Sequence, residues 1–236
     1  MSRTLDRLRL AALNIDGVLL NDTFSPVIHD FVVRRGGSYT AETERSIFSR
    51  PRRIAGRNLA AAVPQSLTGD EALAAYFTER DAYLTDHPVR ILDGAVDLVR
   101  RLRALGLRTV CYGGLPAAHF DRFLGEWAHL FDGPRYVCTD DFRPGLREIT
   151  VDHFGLEHGE ALFVDDVALV AEAARGLGAP FIGQPSGFVH GFQRQLMTEA
   201  GVRHLVDAPE AIDEALIRAV DAEAALGTVW DRALPR

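Results

Sequence analysis

The sequence predicts an α/β protein: a doubly wound parallel sheet with a small all-helical domain inserted after its first strand. Three observations predict it. Short apolar runs alternate with helix-like segments from residue 91 onward, four helix-like segments follow one another between residues 22 and 88, and two of the strand-like runs end in acidic residues. Strands separated by helices of about ten residues or more are parallel, and such sheets gather ligands at the carboxyl ends of their strands.

The first strand lies in residues 10–20, Leu-Ala-Ala-Leu-Asn-Ile-Asp-Gly-Val-Leu-Leu, an apolar run that ends in two polar side chains and a glycine. Residues 27–35, 41–48, 55–63 and 70–84 then carry helical spacing, punctuated by Gly-Gly, Pro and Thr-Gly. From Ile91 an amphipathic helix runs to a stop at Gly106, and Leu107–Tyr112 follows as a buried strand. Helix over 116–130, strand over 136–139, helix over 144–155, strand over 161–164, helix over 167–176 and strand over 180–183 complete the alternation. The tail adds an apolar run at 204–206 and a helix over 209–225. The predicted division is a core domain of residues 1–21 and 89–236 and a helical domain of residues 22–88.

Length and composition agree with this division. A chain of 236 residues can bury one generous core and an accessory lobe. Its 47% hydrophobic and 25% charged content is that of an ordinary globular protein. The net charge of −7 argues against a dedicated nucleic-acid binder, which needs clustered cations to displace counterions. The charged N-terminal stretch lacks the apolar centre of a signal peptide, and no segment is long and apolar enough for a bilayer, so a cytoplasmic location without membrane attachment is expected. Cys111 and Cys138 sit in strand-like runs without metal-ligand spacing and read as reduced core thiols.

Chemistry concentrates at the strand ends. Asn14 and Asp16 are spaced i, i+2, so both leave the first strand on the same side, and Gly17 lets a ligand approach the backbone. Taken alone, Asn-x-Asp-Gly is also an ordinary turn. A second acidic pair, Asp165-Asp166, closes the run Ala-Leu-Phe-Val before a helix. Adjacent acids there serve as a helix cap, and two acidic strand ends in one sheet can also converge on Mg²⁺, which favours a few carboxylate oxygens plus water and phosphate. The metal set expected on this basis is Asn14, Asp16, Asp165 and Asp166.

Taken together, these motifs and their order resemble the haloacid dehalogenase superfamily, in its beta-phosphoglucomutase-like branch with a helical cap after the first strand. The resemblance covers roughly residues 8–225. It implies a Rossmann-like core, a Mg²⁺-dependent phosphatase-type site and a small phosphorylated or otherwise anionic metabolite as ligand. Asp16 matches the acid/base aspartate, Arg143-Pro144 stands where the family has Lys-Pro, and Asp165-Asp166 matches the metal motif. Tyr112-Gly113-Gly114 occupies the place of the phosphate-binding hydroxyl residue. Arg57, in Ile54-Ala55-Gly56-Arg57, resembles the cap segment that faces substrate.

The departures are as informative. The nucleophile's position holds Asn14, whose neutral amide is a poor nucleophile where the family forms an aspartyl-phosphate. Tyr112 carries its hydroxyl far from the backbone, so Gly113 and Gly114 offer either an anion cradle of N–H groups or a plain strand-to-helix turn. Arg143 keeps the lysine's charge with a different geometry. Val170 stands where many relatives carry a further polar residue. The insert brings Arg34, Arg35, Arg45, Arg50, Arg52, Arg53 and Arg57, read either as solvated helix faces or as a basic lid. His29 is a secondary candidate, and the other histidines, His119 among them, show no ligand spacing.

Three functions follow. The first is a hydrolase of this fold with a substituted, impaired nucleophile; the second is an inactive descendant that binds a phosphorylated ligand or a partner protein. The third is a divergent enzyme that uses Asp16 as general acid or base without a covalent intermediate. Each requires that the ends of the first strand and of the strand before Asp165 meet in space.

Overall fold

Five parallel strands lie in the order β3-β2-β1-β4-β5: β1 (Leu10–Asn14), β2 (Arg108–Gly113), β3 (Tyr136–Cys138), β4 (Ala161–Asp165) and β5 (Phe181–Gly183). This is a computed structural model, and it describes residues 4–231. The outermost residues of the predicted core domain, 1–3 and 232–236, lie outside the described residues. The sheet order puts β1 between β2 and β4, with Leu13 opposite both Cys111 and Val164. The strand ends that carry Asn14, Tyr112 and Asp165 are therefore neighbours.

Side-chain alternation divides the core. Leu10 and Ala12 join Val110, Tyr112, Phe163 and Phe181 on one face, beneath α7 (Ala168–Leu177) and α8 (Gln193–Ala200). Ala11, Leu13 and Ile15 join Cys111, Leu162, Val164 and Ile182 on the other, beneath α5 (Ala95–Ala104), α6 (Ala117–Leu124) and α9 (Glu214–Leu226). Strands covered on both faces must be apolar throughout, which is why β1 and β4 read as continuous hydrophobic runs.

Between β1 and α5 stand four helices, α1 (Ser25–Arg34), α2 (Ala41–Ile47), α3 (Arg52–Ala61) and α4 (Gly69–Asp86). The last opens with a capping box, Thr68 accepting from the Glu71 N–H while the Glu71 carboxylate accepts from the Thr68 N–H. Their apolar faces merge with the core through Phe31, Ile47, Leu59 and Tyr76. Among the described residues no helix is long and apolar enough to cross a membrane.

Four local expectations need correction. Cys138, at the end of the edge strand β3, is exposed rather than a core thiol, while Cys111 is buried. The predicted helix over 144–155 starts only after Gly145, whose φ of +79° lies outside the helical region, and consists largely of a π-helical stretch, Glu148–His153. The predicted helix over 116–130 ends at Leu124 and continues as a 3-10 stretch, Gly125–Leu130. Finally α8 was not expected: its eight residues follow a polar, glycine-containing stretch and bury little beyond Leu196 and Met197.

Candidate functional site

At the strand ends, under the helical insert, lies a cavity of about 140 Å³. Asn14, Asp16 and Asp166 form part of its floor, with Gly114 and Arg143 beside them. The first-strand and β4 ends do meet. Asn14 is buried, and its Nδ2 donates to Asp166 Oδ1 at 2.8 Å and to the Asp16 backbone carbonyl at 2.8 Å. Its Oδ1 accepts from the Ile15 N–H at 3.1 Å. These three bonds fix both the rotamer and the orientation of the amide.

The adjacent acids diverge. Asp166 faces the cavity, whereas Asp165 is absent from its lining and fully buried below it. Asp165 Oδ2 accepts from the Tyr112 hydroxyl at 2.5 Å, and its Oδ1 accepts from the Val167 N–H at 2.8 Å. Burial raises both carboxyls above the ordinary carboxylate range, and the Asp165 charge raises Asp166 further. Burial, then the Asp165 charge, also raises the Tyr112 phenol. Tyr112 is thus a partner beneath the floor and not a wall of the pocket.

Gly17 is where the backbone needs glycine: φ is +88°, and a Cβ there would lie 2.2 Å from Asp166 Oδ2. Gln184 holds this turn in place, its Nε2 donating to the Gly17 and Val18 carbonyls at 3.2 and 3.3 Å. Gly113 packs against Ile15, and Gly114 admits Arg143, whose Nη1 would be 2.2 Å from a Cβ at that position. Arg143 Nη2 in turn donates to Ser49 of the insert at 3.2 Å.

Asp16 has a partner that spacing did not reveal. His119 Nε2 lies 2.9 Å from Asp16 Oδ1, and both side chains are largely buried, at 11% and 14% exposure. His119 sits in the first turn of α6, the helix that begins just after the β2 end, and its ring packs edge-on against Phe123. That placement is the signal that was available: first-turn residues of a helix following a strand end in a parallel sheet approach the ligand cleft.

The insert supplies most of the remaining lining, including Phe24, Ile28, Ile47, Phe48, Leu59 and Tyr76, and the core adds Leu115, Asp140 and Val167. Ser49 and Asp22 add polarity. Asp22 Oδ1 accepts from the Phe24 and Ser25 N–H groups at 2.9 and 3.0 Å, tying the start of α1. Asp22 Oδ2, Tyr76 Oη and Arg143 Nε are buried without a hydrogen-bond partner, and all three residues line the cavity. Unpartnered buried polar atoms are costly, so their concentration around one cavity marks it as a place for a ligand or water.

Arg57 is not in this cavity. It lines an outer cleft with Arg52, Arg53, Asp70, Asp140 and Asp141, while Gly56 beside it packs against the Gly69 carbonyl and Leu73 where α3 crosses α4. Four of the seven candidate lid arginines are ion-paired. Arg34 pairs with Asp30, Arg35 with Glu79, Arg45 with Glu172 and Arg52 with Asp140; of the seven, Arg52 alone lines the inner cavity. Arg45 and Arg52 thereby tie the insert to the core. So does the fully buried Glu44, which accepts from the Tyr39 hydroxyl at 2.7 Å and the Phe192 N–H at 3.0 Å. His29 stacks on His190 at 4.5 Å and is not among the residues lining the cavity.

The expected metal set is likewise redistributed. Asp165 turns to Tyr112, Asp16 to His119, and Asn14 presents a donor to Asp166. Among the described residues no group of three or more His, Cys, Asp or Glu side chains is placed to hold a metal ion.

Comparison with known proteins identifies the fold. No family profile matches the sequence, and no curated protein matches it. Solved structures do. A phosphonoacetaldehyde hydrolase-like protein from Oleispira antarctica superposes with a TM-score of 0.66 at 14% identity, over 95% of this chain and 96% of that one. A provisionally assigned beta-phosphoglucomutase from Bacteroides vulgatus gives 0.65 at 17%, over 94% and 91%. A haloacid dehalogenase family hydrolase from Deinococcus radiodurans, solved with bound phosphate and sodium, gives 0.59 at 19%, over 93% and 97%. The likeness is one of fold, and it extends over nearly the full length of both chains.

Proposed function

We propose, starting from a haloacid dehalogenase fold whose nucleophile position holds Asn14, that the strand-end cavity binds a small ligand with a largely apolar body and one anionic group. The protein acts on it by acid–base hydrolysis and not through an aspartyl-enzyme intermediate. The observation that carries this reading is the Asp16–His119 pair on a floor where Asn14 is locked by three hydrogen bonds. An aspartyl intermediate needs an anionic oxygen free to attack, and the Asn14 amide is neutral with its oxygen held by the Ile15 N–H.

Asp16 lines the cavity and can take a proton from an attacking water or give one to a leaving oxygen; His119 holds the carboxylate in place. Acid–base catalysis of this kind contributes on the order of 10²–10⁴-fold. Arg143, with Nε unpartnered, offers positive charge to the ligand's anionic end, while the aromatic lining accepts its apolar body. In this reading residues 22–88 form a cap that excludes water. Phosphate, which the Deinococcus protein was solved with, is one candidate for the anionic group.

The test is a turnover panel of short alkyl and aryl phosphates and carboxylic esters, with Asn14→Ala, Asp16→Asn and His119→Gln variants alongside wild type. Turnover that survives Asn14→Ala within about tenfold and drops by about 10²-fold or more in Asp16→Asn supports the reading. Turnover abolished by Asn14→Ala but not by Asp16→Asn overturns it. A second reading, a catalytically silent binding protein, is favoured by the three orphaned polar atoms of the lining. Saturable binding without turnover across the panel selects it.

A further inference from the structure

We propose that the Asn14 side-chain amide is a built-in substitute for a divalent cation, so that the strand-end pocket is organised without a metal. The inference concerns the floor and holds whatever ligand the cavity takes. Asn14 Nδ2 bridges two oxygens from different elements, Asp166 Oδ1 just past β4 and the Asp16 carbonyl just past β1, each at 2.8 Å. Two convergent oxygens of this kind are what a hard cation such as Mg²⁺ would take as ligands. Here a nitrogen carrying two N–H groups stands between them.

The alternative, with the amide oxygen turned toward a cation, conflicts with its surroundings. Rotated by half a turn, Nδ2 would face the Ile15 N–H and Oδ1 would face Asp166 Oδ1 and the Asp16 carbonyl, so three favourable contacts would become three mismatches. Inserting a cation therefore requires breaking two hydrogen bonds and turning a buried side chain. Nor do the neighbouring acids offer a replacement set. Both oxygens of Asp165 are engaged, by Tyr112 and the Val167 N–H; Asp16 Oδ1 is engaged by His119, and Asp166 Oδ2 is packed against Gly17. Mg²⁺ demands near-octahedral oxygen geometry and tolerates such a depleted, pre-bonded set poorly.

The experiment is metal binding to the intact chain, followed by the loss of the free Mn²⁺ electron paramagnetic resonance signal and by the shift of Tm with Mg²⁺. Wild type, Asn14→Asp and Asp166→Asn are compared; none of these measurements needs a substrate, so failure here is separable from failure of the acid–base reading. Wild type is expected to leave the free Mn²⁺ signal intact and to show the same Tm in Mg²⁺ and in chelator. Asn14→Asp, which sets two carboxylates at hydrogen-bond distance, is expected to melt lower than wild type in chelator, to recover with Mg²⁺, and to bind Mn²⁺ about tenfold more tightly or better. Mn²⁺ binding by wild type that Asp166→Asn abolishes overturns the proposal; binding that Asp166→Asn leaves unchanged lies elsewhere and supports it. If Asn14→Asp does not fold, wild type against Asp166→Asn still decides.

Discussion

The floor of the cavity and the insert wall above it use polar atoms in opposite ways. On the floor, Asn14 has all three of its amide contacts made within the fold, and beneath it Asp165 has a partner on each oxygen. On the insert side, the buried Tyr76 hydroxyl and Asp22 Oδ2 have none, and rings and branched chains supply most of the surface. A group that is already paired is rigid and preorganised; a group left unpaired in an apolar wall is held ready for something that arrives. The floor therefore sets what chemistry is open, and the wall sets which ligand experiences it.

The severest break of this contrast comes from the floor. Gly17→Ala forces a side chain into φ +88° and sets its Cβ 2.2 Å from Asp166 Oδ2. Left-handed strain and displacement of a buried carboxylate together cost about 3 kcal/mol or more, because moving Asp166 also breaks its bond from Asn14. Urea denaturation measures the loss, and ligand binding should vanish with it. A Gly17→Ala protein with wild-type stability and affinity would mean that the floor is plastic and not prearranged.

A smaller effect separates the two neighbouring acids beneath and within the floor. Burial raises Asp165 above the ~3.9 of an unfolded aspartate. A carboxyl raised on folding favours the folded state below its unfolded pKa, and that advantage is lost as pH rises through its folded value. Acidification from about pH 8 toward about pH 5 should therefore stabilise wild type relative to Asp165→Asn, by on the order of 1–2 kcal/mol. The asparagine can keep both contacts, accepting from the Val167 N–H and donating to the Tyr112 oxygen, so the comparison isolates charge. Parallel stability–pH curves for the two proteins would show that Asp165 carries no buried charge.

How far the sequence disclosed this arrangement follows the range of the interactions involved. Strand ends were legible because β1 and β4 are apolar throughout and stop abruptly at Asn14 and Asp165; the haloacid dehalogenase fold, with its helices between β1 and α5, followed from that order. The split between Asp165 and Asp166 was not legible, since adjacent acids look alike until Tyr112, 53 residues earlier, claims one of them. His119 lies 103 residues from Asp16 and carries no spacing signature. Arg57 reads as a ligand contact from its glycine-containing helix segment; the structure sets Gly56 at the crossing of α3 on α4 and Arg57 in the outer cleft. The pairing of Arg35, Arg45 and Arg52 was not legible either, because their partners Glu79, Glu172 and Asp140 stand far along the chain.

The mildest substitution tests the wall. Tyr76 is buried, lines the cavity and bears a hydroxyl without a partner. Tyr76→Phe removes that hydroxyl and almost no volume, so the apolar packing of the ring among the insert helices is retained. An unsatisfied buried hydroxyl opposes folding, and its removal should leave the protein as stable as wild type or more stable by up to about 1 kcal/mol, read from urea midpoints at constant slope. Affinity for an aryl phosphate should move the other way, falling about fivefold to tenfold, the worth of one neutral hydrogen bond. The opposite signs are the point. A residue serving the fold alone would lose stability and leave binding untouched, and that outcome would return the wall to ordinary packing. Stability gained while affinity is lost is the signature of a polar group that the folded chain leaves unpaired for its ligand.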